Sequence, residues 1–191
     1  SEFVWEEAEI GDKVVYLDIE IEGGEAILAY NYEVDESTYK IRSKTAEQGE
    51  SDLETNNIGD KTRPVLTSLM DNNGITYTWI AWIDTTGILQ HRVQNSNNPG
   101  TWSQVDDYCS GGGNMPISGI DAAYASDIAI QAMGDMVVLV WRHNQNMLRF
   151  AMNKNINNSS ENCWVNNPGE AKPIVPSLDQ DNVYPQMTFM K

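Results

Sequence analysis

Ile75-Thr76-Tyr77-Thr78-Trp79-Ile80-Ala81-Trp82-Ile83-Asp84 is the stretch of sequence that decides the fold of this chain. β-Branched and aromatic residues fill it, and these residue types favour an extended strand over a helix. Successive side chains of a strand point to opposite faces, so Trp79 and Ile83 share one face while Ile80 and Trp82 share the other. Large apolar side chains on both faces predict a strand that is covered on both sides.

The same kind of strand recurs along the chain. Tyr30, Trp82 and Trp141 mark the central strand of three similar units, and they are 52 and 59 residues apart. In each unit an inner strand and a glycine turn precede this central strand, and a third strand and an outer strand follow it. The third strands contain Arg42, Arg92 and Arg149. Four short strands repeated at this period are typical of the blade of a β-propeller.

The sequence therefore predicts an all-β, β-propeller-like fold in a single domain covering residues 1–191. The prediction comprises about three four-stranded blades plus unpaired terminal strands. The predicted segments are a strand at 3–10, blades at 15–58, 63–106 and 127–168, and a strand at 184–190.

Three blades cannot close a ring, because two apolar blade faces would remain in water. The chain is then expected to be part of a longer propeller, or to form a ring completed by another chain. Two copies related by a twofold axis would supply six complete blades, with the strands at 3–10 and 184–190 pairing across the junction. An open, curved array is the alternative to such a homodimer.

The charge of the chain is strongly negative and unevenly distributed. The 28 acidic and 12 basic residues give a net charge of −16, and residues 1–60 hold 17 of the acids but only 4 of the bases. Such a surface repels phosphate backbones, so we expect no nucleic-acid partner. The acidic surface either keeps a β-rich protein in solution or attracts a cation or a basic partner. No run of 18 apolar residues is present, so no membrane span is predicted.

Two cysteines, Cys109 and Cys163, are separated by 54 residues, which is close to one repeat. Equivalent loops of adjacent units could bring them together in a disulfide, while two buried thiols are the alternative. No targeting segment is recognisable, so the sequence leaves the compartment open, with a secreted or cell-surface location as the leading expectation.

Few residues offer a chemical function. Asp84 and His143 hold the same position at the end of a central strand, and with Arg92 and Arg142 they form the predicted ligand-binding set. Ordinary polar residues at strand ends are the alternative interpretation. His91 lies between Leu89 and Val93 on one strand face and is expected to be a partly buried histidine. With two histidines and no Cys-x-x-Cys pair, the sequence predicts no metal and no cofactor.

One turn resembles a known family motif. Ser96-Asn97-Asn98-Pro99-Gly100-Thr101-Trp102 resembles the Asp-box turn of the sialidase-like propellers, which reads Ser-x-Asp-x-Gly-x-Thr-Trp. Ser96, Gly100 and Trp102 match, Asn98 stands in place of the aspartate, and the spacing is one residue short. The resemblance covers a single turn and implies a propeller fold.

The same resemblance would imply hydrolysis of a sialoside. That family uses three arginines to bind a substrate carboxylate, a tyrosine nucleophile with a glutamate, and an aspartic acid. Here Arg42, Arg92 and Arg149 occupy equivalent places in three units, which indicates a structural repeat, and the family's Arg-Ile-Pro motif is missing. The sequence therefore favours a chain without catalytic residues.

The function predicted from the sequence is a non-catalytic recognition module that binds a glycan or a protein through loops at the faces of its blades. A glycoside hydrolase of the sialidase-like kind is one alternative. A structural repeat of a surface protein, with no site of its own, is another.

Overall fold

A computed structural model gives the fold of the chain. It describes residues 13–22, 25–45, 48–54, 58–102, 125–134, 136–144, 147–154 and 164–165. These residues form eleven strands in three antiparallel sheets, with no helix in the described part. The predicted all-β class is confirmed. No helix within the described ranges is long and apolar enough to cross a membrane.

Sheet A is a meander of four strands that follow one another in space as they do along the chain. Its strands are β1 (Lys13–Glu22), β2 (Glu25–Asp35), β3 (Thr38–Thr45) and β4 (Gly49–Glu54). Very short connections join them, and such connections produce antiparallel hairpins. All four strands lie within or next to the predicted segment 15–58.

Sheet B contains the stretch 75–84, rich in β-branched and aromatic residues. Its strands are β5 (Val65–Met70), β6 (Thr76–Ile83) and β7 (Leu89–Asn95), with β6 in the centre. A glycine with positive φ closes each of its two hairpin turns, Gly74 at 79° and Gly87 at 74°. Glycine suits this left-handed conformation because it has no Cβ to clash with the backbone. The sequence predicts an outer strand for this unit that begins at Trp102. Trp102 itself is described, and the rest of that predicted strand lies outside the described residues.

Sheet C again has four strands, in the spatial order β11-β10-β9-β8. They are β8 (Ile128–Met133), β9 (Met136–Asn144), β10 (Met147–Lys154) and β11 (Trp164–Val165). All fall within the predicted segment 127–168. The predicted terminal strands at 3–10 and 184–190, and both Cys109 and Cys163, lie outside the described residues.

The sheets stack through two apolar layers. One layer lies between sheets A and B and includes Ala29 and Ile41 of sheet A with Ile80 and Trp82 of sheet B. The other lies between sheets B and C, where Trp79 packs in the same cluster as residues of β8 and β9. Strand β6 thus sends alternate side chains into both layers, which confirms the prediction of a strand covered on both sides.

Side chains also bridge the first strands of successive sheets. The Leu66 amide at the edge of β5 donates a hydrogen bond to Asp18 Oδ2 of β1 over 2.8 Å. In the same way the Ala132 amide of β8 donates to Thr67 Oγ1 of β5 over 3.0 Å. An edge strand leaves amides without a ladder partner, and here the preceding first strand satisfies one in each case.

The strand register refines the predicted repeat. Tyr30 lies opposite Leu17 and Arg42, and Trp141 takes the same place in sheet C, opposite Ile128 and Arg149. In sheet B the residue opposite Leu66 and Arg92 is Ile80, so Trp82 lies two residues beyond the matching position. Trp82 nevertheless shares the face of Ile80, because a displacement of two residues preserves the face of a strand.

Candidate functional site

Asp84, a predicted ligand-binding residue, organises the turn between β6 and β7. Its Oδ1 accepts hydrogen bonds from the Thr86 amide at 2.8 Å and from the Ile88 amide at 3.0 Å. Its Oδ2 accepts a third bond from Gln90 Nε2 at 3.2 Å. Aspartate side chains often hold turns in this way by accepting bonds from backbone amides two or more residues later.

Arg142 forms a buried ion pair. Its Nη1 lies 3.2 Å from Asp127 Oδ2, and the two side chains are only 7% and 6% exposed. The Arg142 amide also donates to the Asp127 carbonyl over 2.9 Å. The pair ties the start of β8 to the end of β9, and a buried arginine needs such a partner because an uncompensated buried charge is costly.

Arg92 is held against its own sheet. Its Nη1 donates to the His91 carbonyl over 2.8 Å, and its guanidinium carbon lies 5.3 Å from the centre of the Trp82 ring. The His143 backbone belongs to β9, while its side chain lies outside the described part. The structure thus gives Asp84, Arg92 and Arg142 structural partners, and ligand binding by these four residues stays a prediction.

Arg42, the matching arginine of sheet A, belongs to a network of side chains. Its Nε donates to Asp52 Oδ1 at 2.6 Å, its Nη1 to Glu50 Oε2 at 3.0 Å, and its Nη2 to the Tyr32 hydroxyl at 2.8 Å. The hydrogen bond from Arg42 is the main cause that lowers the pKa of Asp52. This guanidinium is therefore already occupied by carboxylates of its own sheet.

A cleft of about 360 Å³ opens between sheets A and B. It lies at the end of the sheets where the β5–β6 turn and the end of β7 approach the start of β2 and the β3–β4 turn. Its polar lining side chains are Glu25, Thr45, Gln48, Thr76, Gln94, Asn95 and Ser96. Among these described lining residues Glu25 alone is ionisable, so the cleft is close to neutral in a protein with a net charge of −16.

Gln94 is the most buried polar group of the cleft wall. The residue is 4% exposed, and its Oε1 accepts the Gly100 amide at 2.9 Å. That bond fixes the orientation of the side-chain amide. Its Nε2 makes no bond to the described residues, so both of its hydrogens are available to a ligand in the cleft.

The neighbouring hydroxyl groups are arranged in a similar way. Ser96 Oγ accepts the Thr76 amide at 3.1 Å, which leaves its own hydrogen available for donation. The Thr76 hydroxyl bonds to no group within the described ranges. Together Gln94, Ser96 and Thr76 offer donors and an acceptor from three fixed positions on sheet B.

The turn that resembles the Asp box supplies one wall of the cleft. Gly100, with φ of 74°, lies so close to Gln48 that a Cβ at this position would be 2.5 Å from Gln48 Oε1. A larger residue would therefore displace Gln48 and adopt a strained backbone conformation. The preceding Asn95 holds the turn, since its Oδ1 accepts the amides of Asn97 and Asn98 at 3.1 Å each.

The titratable groups with shifted pKa values lie elsewhere. Burial and the neighbouring Arg92 lower the pKa of His91 to about 4. Burial raises the pKa of Asp18, and the bond from the Leu66 amide only partly offsets this effect. Neither residue lines the cleft, and no pair of carboxylates does so among the described lining residues. The described lining residues are thus mainly hydrogen-bonding groups.

Metal ligands do not converge within the described ranges, where no three His, Cys, Asp or Glu side chains form a group.

Comparison with known proteins gives a distant similarity of structure. No family model matches the chain, and no curated protein matches it. A match among solved structures is the GH43_1 enzyme from Xanthomonas citri complexed with xylose, at 13% sequence identity and a TM-score of 0.38. The match covers 87% of this chain and 55% of the enzyme chain, so this chain spans about half the length of that protein.

Sequence reasoning did not find the cleft. Charged residues and known motifs do not point to it, because Gln94, Thr76 and Gln48 are neutral and belong to no catalytic pattern. The Asp-box-like turn was the one available signal, because it contains Ser96 and lies beside Gln94. The contribution of sheet A could not be read from the sequence, since it depends on how two sheets stack.

Proposed function

We propose that the chain is a non-catalytic recognition module, built as about three blades of an incomplete propeller, which binds a neutral glycan in the cleft between sheets A and B. The sheets correspond to the blades at 15–58, 63–106 and 127–168. The adjacent first strands and the two apolar layers support this arrangement, because propeller blades pack face to face around a common axis.

The fixed donors and acceptors of the cleft carry the proposal. Sugar hydroxyls both donate and accept hydrogen bonds, and they fit a wall formed by an amide, two hydroxyls and a carboxylate. Gln94 supplies donors, Ser96 and Thr76 supply hydroxyls, and Glu25 can accept from a pair of sugar hydroxyls. Small-molecule binding sites typically contain only a few precisely placed polar groups.

The electrostatics favour a neutral ligand over an acidic one. Glu25 is the charged group of the lining, and the protein as a whole has a net charge of −16. A sialoside carries a carboxylate and would be repelled. The arginines that could bind such a carboxylate are engaged, Arg42 with Asp52 and Glu50 and Arg142 with Asp127. These observations favour binding without turnover over sialidase-like hydrolysis.

A glycan array followed by calorimetry tests the proposal. We expect the protein to bind neutral oligosaccharides and the Thr76→Val variant, which removes the cleft hydroxyl at nearly constant volume, to bind about fivefold or more weakly. Thr85→Val, in the β6–β7 turn at the opposite end of sheet B, serves as the matched control and should bind normally.

Hydrolysis assays on the same oligosaccharides separate the alternatives. Binding without turnover supports the recognition module. Turnover that a single carboxylate substitution abolishes would establish the glycoside hydrolase instead. A protein that neither binds nor hydrolyses any glycan would contradict the proposal and favour a structural repeat.

A further inference from the structure

The inner part of the cleft between sheets A and B differs from its mouth. Three of the lining side chains are buried: Ile27 is 3% exposed, Gln94 is 4% and Thr45 is 7%. The other lining residues are partly or fully exposed, and they include the carboxylate of Glu25. We call Ile27, Thr45 and Gln94 the deep end of the cleft, because a ligand group that reaches them loses its contact with water.

The strand registers bring these three side chains to the same gap from two sides. Ile27 and Thr45 are partners across β2 and β3, and Ile27 belongs to the apolar layer between sheets A and B. Gln94 lies opposite Thr78 and shares the face of Ile80, which packs in the same layer. The deep end therefore has an aliphatic group and a hydroxyl on one side and a side-chain amide on the other.

The polar groups of the deep end are better placed to donate hydrogen bonds than to accept them. Gln94 Oε1 already accepts the Gly100 amide, and Thr45 Oγ1 accepts the Gln48 amide over 3.1 Å. Gln94 Nε2 and the hydroxyl hydrogen of Thr45 bond to no group among the described residues. The carboxylate of Glu25, which is the strongest acceptor of the lining, lies outside the deep end.

A carbonyl with a methyl group attached matches this pattern. A carbonyl oxygen only accepts hydrogen bonds and has two lone pairs, so it can accept from both Gln94 and Thr45. The methyl group would pack on Ile27 and leave water. A sugar hydroxyl at the same place would bury its own hydrogen beside two other donors, and a buried donor without a partner is costly. An acetyl group therefore fits the deep end better than a hydroxyl group does.

We propose that the cleft selects acetylated neutral sugars, with the acetyl group in the deep end and the sugar hydroxyls at the mouth. This inference rests on the proposed function and names the class of glycan that the cleft takes. Glu25, Thr76 and Ser96 lie at the mouth, where they can bond to hydroxyls of the sugar ring. The acetyl group can belong to an N-acetylated amino sugar or to an O-acetyl ester, since both end in the same carbonyl and methyl.

Calorimetry with matched oligosaccharides tests the inference on the whole chain. The trimer of N-acetylglucosamine and cellotriose share their ring type and their linkage, and they differ by one acetamido group on each sugar. We expect the acetylated trimer to bind at least about fivefold more tightly than cellotriose. A neutral O-acetylated oligosaccharide and its deacetylated form give the second comparison. A preference for the acetylated member of either pair supports the inference and shows which kind of acetyl group is taken.

Two variants of the deep end connect this preference to its residues. Thr45→Val removes one donor at nearly constant volume and should reduce the ratio of the two affinities about threefold or more. Gln94→Glu keeps an oxygen for the Gly100 amide but replaces the donor by an acceptor, so the ratio should fall to about one. Thr85→Val, the matched control in the β6–β7 turn, should keep the ratio of the parent protein.

Several results would overturn the inference. Equal affinity of the parent protein for the two members of both pairs excludes a site for the acetyl group, while the proposed glycan binding stands. Binding of none of the four oligosaccharides contradicts the proposed function as well. An unchanged ratio in both variants shows that the deep end does not select the ligand. If Gln94→Glu does not fold by circular dichroism, Thr45→Val decides by the same criterion.

Discussion

Single aspartates set the turns of sheet B at the scale of the residue. Asp71 and Asp84 each begin an Asp-x-x-Gly-Ile turn, and in both the Oδ1 atom accepts the amides two and four residues later. The glycine of each turn has positive φ. The same five-residue turn thus flanks β6 at both ends. Its hydrogen bonds account for the aspartate at position 84 without a bound ligand.

Replacing Asp84 tests this role. Asp84→Ala removes the acceptor of two backbone amides, and we expect the free energy of unfolding to fall by about 1–2 kcal/mol. Asp84→Asn keeps an oxygen at the same place and should lose much less. Urea denaturation of the three proteins measures the difference, and equal midpoints would show that the side chain does not hold the turn.

His91 links stability to pH. Burial lowers its pKa from 6.5 to about 4, so the folded protein keeps this histidine neutral while the unfolded chain takes up a proton below pH 6.5. The stabilisation is complete above pH 6.5 and is lost as the pH falls to about 4, by as much as about 3 kcal/mol.

Unfolding measured between pH 7 and pH 4 checks this expectation. The parent protein should lose stability across that range more steeply than His91→Leu, which has no proton to gain. Identical slopes for the two proteins would mean that His91 titrates normally in the folded state.

At the scale of the element, the buried pair of Arg142 and Asp127 fastens β8 to β9. Removing either partner leaves a buried charge, and we expect Arg142→Met and Asp127→Leu each to cost about 3–5 kcal/mol. The double variant should cost clearly less than the sum of the two. A double-mutant cycle by urea denaturation measures this coupling, and strictly additive losses would contradict the pair.

The sequence predicts the strands of the three sheets more readily than it predicts the residues of the candidate site. The pattern of β6 and the glycine turns are local features, so the strands of sheets A, B and C follow from them. The hydrogen-bond partners of Asp84 and the ion-pair partner of Arg142 were not predicted from the sequence. Asp127 reaches Arg142 only because the β8–β9 hairpin folds back, and Gln48 reaches Gly100 only because two sheets stack.

The whole molecule depends on how the three sheets stack. Stacking creates the cleft between sheets A and B and buries both faces of β6. Two hydrogen bonds report directly on this arrangement, because they join first strands of different sheets. They are the bonds from Leu66 to Asp18 and from Ala132 to Thr67.

Hydrogen exchange at the Leu66 and Ala132 amides is the most direct test of the stacking. We expect both amides to exchange at least about a hundredfold more slowly than in an unstructured chain, and Thr67→Val to release Ala132 while leaving Leu66 protected. Rapid exchange at both positions in the folded parent protein would show that the sheets do not stack in this way, and the cleft between sheets A and B would be lost with that arrangement.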